Sequence, residues 1–363
     1  MNYRYATILA KKSLGAAGTE TIDINIKDPI SRLEIAWRPT LADVAMLAAL
    51  AAGITKVELV DGSDVLHSVD GRENQALCLY DRHSPTMNNG CLYNGGEAYA
   101  TLGIDFGRFL YDPELAFDPT KFRNPQLKIT HDRAAIGAST STHYLEVFAH
   151  CFDEKAISPV GFLVAKNLYT YTPAAENAYE YIDLPTDLPI RQMLIRGYQA
   201  EQDPTDVVDE LKLSEDNDKR VPFDMNLEFY VQRMKGVWRE LIEGLDEYVD
   251  PQGNYDKFVT PTDLRTVYVA LGAAADVVQP IVTDGYIKGG YVKRKCGGST
   301  MAAQGFVKGY LPHHCIQVPF GLQDDLSDWY DVTKLGSLRA RLLSGAQYSG
   351  AEVSVILQQL RRY

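Results

Sequence analysis

Pro29-Ile-Ser-Arg-Leu-Glu-Ile35 and Pro189-Ile-Arg-Gln-Met-Leu-Ile195 stand 160 residues apart and read as one short strand written twice. Each opens on Pro-Ile, and each places its last isoleucine two positions after a Leu or Met, the period of a strand. Further along, Ile54-Thr-Lys-Val-Glu-Leu59 resembles Val208-Asp-Glu-Leu-Lys-Leu213 at an offset of 154. A helix is expected after each, near residues 73 and 227. Ile104-Asp-Phe-Gly107 then matches Val318-Pro-Phe-Gly321, and Asp118-Pro-Thr-Lys-Phe122 matches Asp331-Val-Thr-Lys-Leu335. Strands at 127–129 and 338–342 follow, and strands at 144–148 and 352–356 close the two series.

One alternating segment arises by chance in any β protein. Six pairs and a helix in the same order do not, and the offset widens only after an insertion around 240–300. The order implies a duplication. Each half then holds about eight strands and a helix, the size of one jelly-roll sandwich. The expected fold is all-β: two tandem eight-stranded jelly rolls with short helices and long inserted loops. The expected divisions are an N-terminal arm at 1–18, a first roll at 19–177 and a second at 178–363, with an insertion at 232–305. Helices are expected at 41–52, 71–80 and, most strongly, 226–248, where Leu227, Tyr230, Val231, Met234, Val237 and Trp238 fall on one face. A strand is expected over 306–319.

Composition sets the outer limits. The 363 residues carry 48 acidic against 36 basic side chains, a net charge of -12 that argues against a mainly nucleic-acid-binding surface. No apolar run reaches the roughly 18–20 residues of a membrane-spanning helix. The first thirteen residues place most of their bases after the apolar patch, unlike a secretory signal. Five dispersed cysteines suit free thiols better than a disulfide scaffold. The 22 tyrosines, against 3 tryptophans, suit sheets and broad subunit contacts.

Chemistry-bearing motifs are missing. There is no GxSxG, HExxH, Walker loop or GxGxxG. His143 and His150 are seven apart, so in a strand they face opposite ways and cannot share one ion. His313, His314 and Cys315 have the same defect, and His83 and His131 lack a visible third partner. No catalytic, cofactor-binding or metal-ligating residue is therefore assigned, and no cofactor is expected. Bases gather at the two ends: Arg4, Lys11 and Lys12, then Lys334, Arg339, Arg341, Arg361 and Arg362. Such polarity could turn one face toward anionic lipid or a neighbouring subunit.

The paired segments 29–35 with 54–59, and 189–195 with 208–213, resemble the double jelly-roll major capsid proteins of tailless icosahedral viruses, bacteriophages among them, many with an internal membrane. Asp61-Gly-Ser63 followed by Gly71-Arg-Glu-Asn-Gln-Ala-Leu77 adds to the resemblance, which spans roughly 19–363. It implies a structural protein of the virion, not an enzyme, assembled in the host cytoplasm. Homotrimers of pseudo-hexagonal outline would tile the shell against neighbouring capsomers and penton or minor capsid proteins. Residues 232–305 would form a tower, 152–176 a smaller insertion, and 1–18 an arm near an underlying membrane; no direct nucleic-acid contact is implied. Two other readings stay open. A glycan amidase or glycosidase built from two β-sandwiches would show an acidic and aromatic cleft between them. A carbohydrate-binding module would show an exposed aromatic platform.

Overall fold

The computed structural model describes residues 1–41, 47–82, 88–89, 96–137, 142–244, 247–249, 253–272, 278–280, 287–296 and 301–363. Eight strands build the first half: β1 (Tyr3–Ser13), β2 (Ala17–Asp23), β3 (Ile30–Leu41), β4 (Ile54–Asp61), β5 (Asp64–Val69), β6 (Tyr99–Asp105), β7 (Pro125–Asp132) and β8 (His143–Phe152). Helix α1 (Gly71–Arg82) lies between β5 and β6. Strands β7 and β8 alternate buried and half-buried side chains almost residue by residue, the pattern of a sheet with one face on a core. Their sheets run β1-β8-β3-β6 and β2-β7-β4-β5, which is the jelly-roll order, and the two-residue strands Asn88–Asn89 and Gly96–Glu97 add to the first by pairing with β6 and β3.

The second half has the same order. Its strands are β9 (Gly161–Tyr171), β10 (Tyr179–Leu184), β11 (Ile190–Tyr198), β12 (Val208–Glu215), β13 (Arg220–Asn226), β14 (Cys315–Pro319), β15 (Leu338–Ser344) and β16 (Glu352–Arg362). Helix α2 (Leu227–Met234) follows β13 as α1 follows β5. The sheets run β9-β16-β11-β14 and β10-β15-β12-β13, so adding eight to each label of the first roll reproduces the second. Every repeated segment read from the sequence falls in an equivalent place. Even the loops agree: Asp118 accepts hydrogen bonds from the amide and hydroxyl of Thr120, and Asp331 does the same for Thr333.

Each roll has its own apolar core. Leu33, Ile35, Trp37, Leu59, Leu127 and Val147 pack in the first; Met193, Ile195, Leu211, Leu213, Leu342 and Val355 pack in the second. Gly53 backs directly onto the fully buried Trp37 ring, where an added Cβ would overlap the indole. Gly53→Ala is expected to destabilise the first roll by about 1–3 kcal/mol, the usual cost of overpacking. A thermal melt that matches the parent would remove that packing argument.

Four expectations need correction. Residues 1–18 form no arm: β1 pairs antiparallel with β8 from Tyr3 opposite Phe152 to Ser13 opposite Tyr144, and β2 begins at Ala17. Residues 161–171 are no insertion but β9, paired with β16, so the division at 177/178 cuts the second roll after its first strand. We place the division at 153–160, between β8 and β9. The helix of 226–248 stops at Met234, because Gly236 is a poor helix former and 241–244 pairs with Met301–Pro312 instead. The strand over 306–319 is broken at His313 and His314, both with left-handed backbone. The expected helix at 41–52 lies partly outside the described residues; Leu50–Gly53 is a single 3₁₀ turn.

The insertion is strand-rich rather than loop-like. Pro261–Gly272 pairs with Met301–Pro312, whose other side takes Leu241–Gly244 and Glu247–Val249. A second small sheet joins Gly253–Phe258, Tyr291–Cys296 and Ile287–Lys288.

Candidate functional site

The two rolls meet through α1. The helix starts with a reciprocal cap: Asp70 accepts from the Glu73 amide at 2.7 Å, and Glu73 accepts from the Asp70 amide at 3.0 Å. One side of α1 closes the edge of β6 beyond its pairing with Asn88–Asn89. There Gln75 donates to the Thr101 carbonyl, Cys78 to the Gly103 carbonyl, and Asn74 accepts from the Gly103 amide. The other side lies against the second roll's β9-β16-β11-β14 face through Glu73, Leu77 and Asp81, which share one helix face at four-residue spacing.

Polar contacts fix this register. Asp81 accepts from Gln192 at 2.8 Å, from Gln358 at 2.7 Å and from Arg191. Gln317 donates to Gln192 and accepts from the Trp238 indole at 2.9 Å, extending the network. Asn167 donates to Glu73 at 2.8 Å, and Arg196 lies between Asp70 and Glu352. Tyr80 donates to the Cys315 carbonyl. Burial, followed by the neighbouring Asp70 charge, pushes the Glu73 carboxyl up to about 7. Against the cost of its own burial, Asp70 is held below the ordinary carboxylate range by Arg196 and Arg72.

The first roll's corresponding face, on β1-β8-β3-β6, has no helix upon it among the described residues. Glu34 sits at its centre, with Tyr5 donating at 3.2 Å and His150 at 3.2 Å. The His150 hydrogen bond leads the effects that hold Glu34 low, while burial and then the Glu34 charge push the Tyr5 phenol up to about 12. Tyr5 stacks on Phe148 with centroids 5.1 Å apart and remains 51% exposed.

Helix α2 is the counterpart of α1. Asn226 caps it by accepting from the Phe229 amide at 3.2 Å, as Asp70 caps α1 through Glu73. Leu227, Tyr230 and Val231 are buried against the second roll. Phe229, Arg233 and Val237 are exposed, the two apolar ones at 67% and 74%. By the shared cap they take the places of Glu73, Leu77 and Asp81, the residues with which α1 meets its neighbour.

His143 and Cys151 point into the first roll's core while His150 points out, as their spacing requires. His143 lies 3.4 Å from His131, a neighbour the sequence did not show. His313 hydrogen-bonds Gln75 at 2.8 Å, and His83 lies outside the described residues. Among the described residues, no three His, Cys, Asp or Glu side chains converge as metal ligands. Most of the terminal bases have a carboxylate partner: Arg4 pairs with Asp28, Lys11 with Glu97, Lys12 with Glu20, Arg339 with Asp183 and Arg361 with Asp64. A cavity of about 230 Å³ beside β12 and β15 is lined by Lys212, Arg339, Arg341 and Tyr181, and Asp218 pairs with Lys212 there at 2.9 Å. The nearby Tyr179 is exposed, with Arg341 over its ring.

No family model matches the sequence, and no curated protein does. Solved structures match it along almost its whole length. The MCP of STIV, Sulfolobus Turreted Icosahedral Virus, superposes with a TM-score of 0.61 at 11% identity, covering 99% of this chain and 98% of that one. PBCV-1 VP54, fitted into a reconstruction of the virophage Sputnik, gives 0.59 at 10% identity and covers 99% and 94%. The major capsid protein P2 of bacteriophage PM2 gives 0.54 at 10% identity and covers 99% and 98%.

The fold is the double jelly roll. Within it, the sequence exposed the tandem strands but not the junction. The contact positions of α1 are Glu73, Leu77 and Asp81, two of them acids that read as surface residues. Their one legible signal is the four-residue spacing.

Proposed function

We propose that this double jelly roll is a major capsid protein that forms homotrimers and tiles an icosahedral virus shell. One observation carries the reading: α1 of the first roll covers a sheet face of the second, while among the described residues the equivalent face of the first roll carries no helix and the equivalent helix of the second leaves Phe229 and Arg233 exposed. A chain with one donor surface and one acceptor surface of matching kind associates head to tail, and such a heterologous contact gives a ring if its rotation closes. Three copies would supply six rolls and a pseudo-hexagonal outline, with neighbouring capsomers as lateral partners in the virion. The solved structures that share the fold support this reading, since the MCP of STIV and the major capsid protein P2 of PM2 match end to end.

The test is solution mass by light scattering across micromolar concentrations. A species near 121 kDa, three times the 40.4 kDa chain, is the expected result. A monomer at every concentration would overturn the proposal.

A further inference from the structure

We propose that α2 of one chain docks on the β1-β8-β3-β6 face of a second copy, in the register that α1 uses within the chain, with Arg233 set against Glu34 and Phe229 at the level of Ala36. This rests on the trimer reading above and names the surfaces and register through which it is built.

The register follows from the repeat. In the second roll, Arg196 pairs with Ser354 and Gln192 with Gln358 across β11 and β16. In the first, Ala36 pairs with Glu146 and Arg32 with His150 across β3 and β8. Ala36, Glu34 and Arg32 therefore stand where Arg196, Leu194 and Gln192 stand. Within the chain, Glu73 faces the Arg196 end of β11, and Asp81 bonds Gln192. Leu77, midway along the helix face, falls at Leu194, midway along the strand. The spacings agree, because four helical residues rise about 6.0 Å and two strand residues about 6.6–6.8 Å. Carried to the next copy, Phe229 falls at the level of Ala36 and Arg233 on Glu34, while Val237 lies beyond Met234, the last residue of α2.

Side-chain chemistry is exchanged consistently between the two junctions. Where the internal junction sets Glu73 near Arg196, whose ion pairs go to Asp70 and Glu352, the external one would place the Phe229 ring at the level of Ala36, which is itself buried beneath its neighbours. Where the internal one packs Leu77 in the same core as Leu194, the external one would set the exposed Arg233 on Glu34, whose carboxyl the His150 hydrogen bond holds below its ordinary value. Burying that pair between copies demands both partners, which gives the contact its selectivity.

The strand edges point the same way. Inside the chain, β5 meets β9 in parallel at Ser68 and Lys166, joining two sheets into one of eight strands. The equivalent edges, β13 and β1, are terminal in their sheets. Seating α2 on the neighbour brings β13 alongside its β1 and covers two edges that would otherwise template aggregation.

A charge exchange tests the register, read by light scattering with near-ultraviolet circular dichroism as the check on folding. Arg233→Glu and Glu34→Arg, each alone, are expected to raise the midpoint concentration for trimer formation at least about 10-fold. The double variant is expected to restore it. Phe229→Asp, at an exposed position the monomer tolerates, is expected to give a folded monomer. If the parent is a trimer that withstands both Arg233→Glu and Phe229→Asp, this register is wrong while the trimer stands. If the parent is monomeric, the capsid reading fails with it.

Discussion

Asp81→Ala is expected to lower the unfolding free energy by about 3–5 kcal/mol, the range for removing one partner of a buried charge pair. Asp81 lies on the last turn of α1 and is buried, as are Arg191, Gln192 and Gln358, all of which donate to it. Alanine leaves the Arg191 guanidinium, 3% exposed, without its carboxylate, and leaves two glutamine amides short of an acceptor. The lost interactions all cross between the rolls, so the effect has a second signature. Urea unfolding should separate into two transitions as the first roll loses its hold on the second. Asp81→Asn keeps the shape and one acceptor oxygen and should cost less. A single transition within about 1 kcal/mol of the parent would show that apolar packing by Leu77 and Tyr80 carries the junction instead.

Residues decide how much of this was readable in advance. The strands at 29–35 and 189–195 were legible because a strand in a sandwich alternates inward and outward, and duplication prints the same alternation twice. The order of the repeats was enough to give the jelly roll. What failed was the start of each roll. Tyr3–Ser13 holds Arg4, Lys11 and Lys12, which suggested a solvated arm, yet each base pairs with a carboxylate beside it. As first strands, β1 and β9 lack a matching pair of motifs, since 3–13 and 161–171 share little beyond tyrosine. The helix beyond Met234 failed for another reason. Its periodic apolar residues serve two purposes: Trp238 turns inward to Gln317, and 241–244 is claimed by a neighbouring strand. Periodicity cannot see a partner 60 residues away. The candidate site was hidden for the same reason, because Asp81 and Gln358 come together only when both rolls have formed.

Acidification from pH 7.5 to 5.5 is expected to destabilise the folded chain by several kcal/mol, through histidines buried in the neutral state. Burial brings His67 and His313 each down to about 3, and it also holds His314 well below the ordinary value, with Arg196 and His313 adding to the effect. Charged groups around the pair His313 and His314 are Arg72 and Arg196, which oppose protonation, and Asp70, which favours it. For His67 they are Asp105, which favours protonation, and Lys166, which opposes it. The unfolded chain takes up these protons near pH 6.5 and the folded chain does not. The stabilisation is thus complete above pH 6.5 and is lost as the pH falls, at about 1.4 kcal/mol per pH unit for each histidine. Glu73 works the other way. Its folded value near 7 lies above its ordinary value of 4.5, so its contribution is complete below pH 4.5 and is lost as the pH rises toward 7. Three histidines against one carboxyl leave a net loss of about 3 kcal/mol per pH unit below 6.5. His131 and His143 are shifted in the same downward direction and add to it. Urea curves at fixed protomer concentration, taken at pH 7.5, 6.5 and 5.5, give the slope directly. His67→Asn is expected to lessen that slope by about 1.4 kcal/mol per pH unit, since it removes one of the three leading protonation sites. A midpoint that does not move between pH 7.5 and 5.5 would mean that these histidines are hydrated in solution and that the junction is open to water.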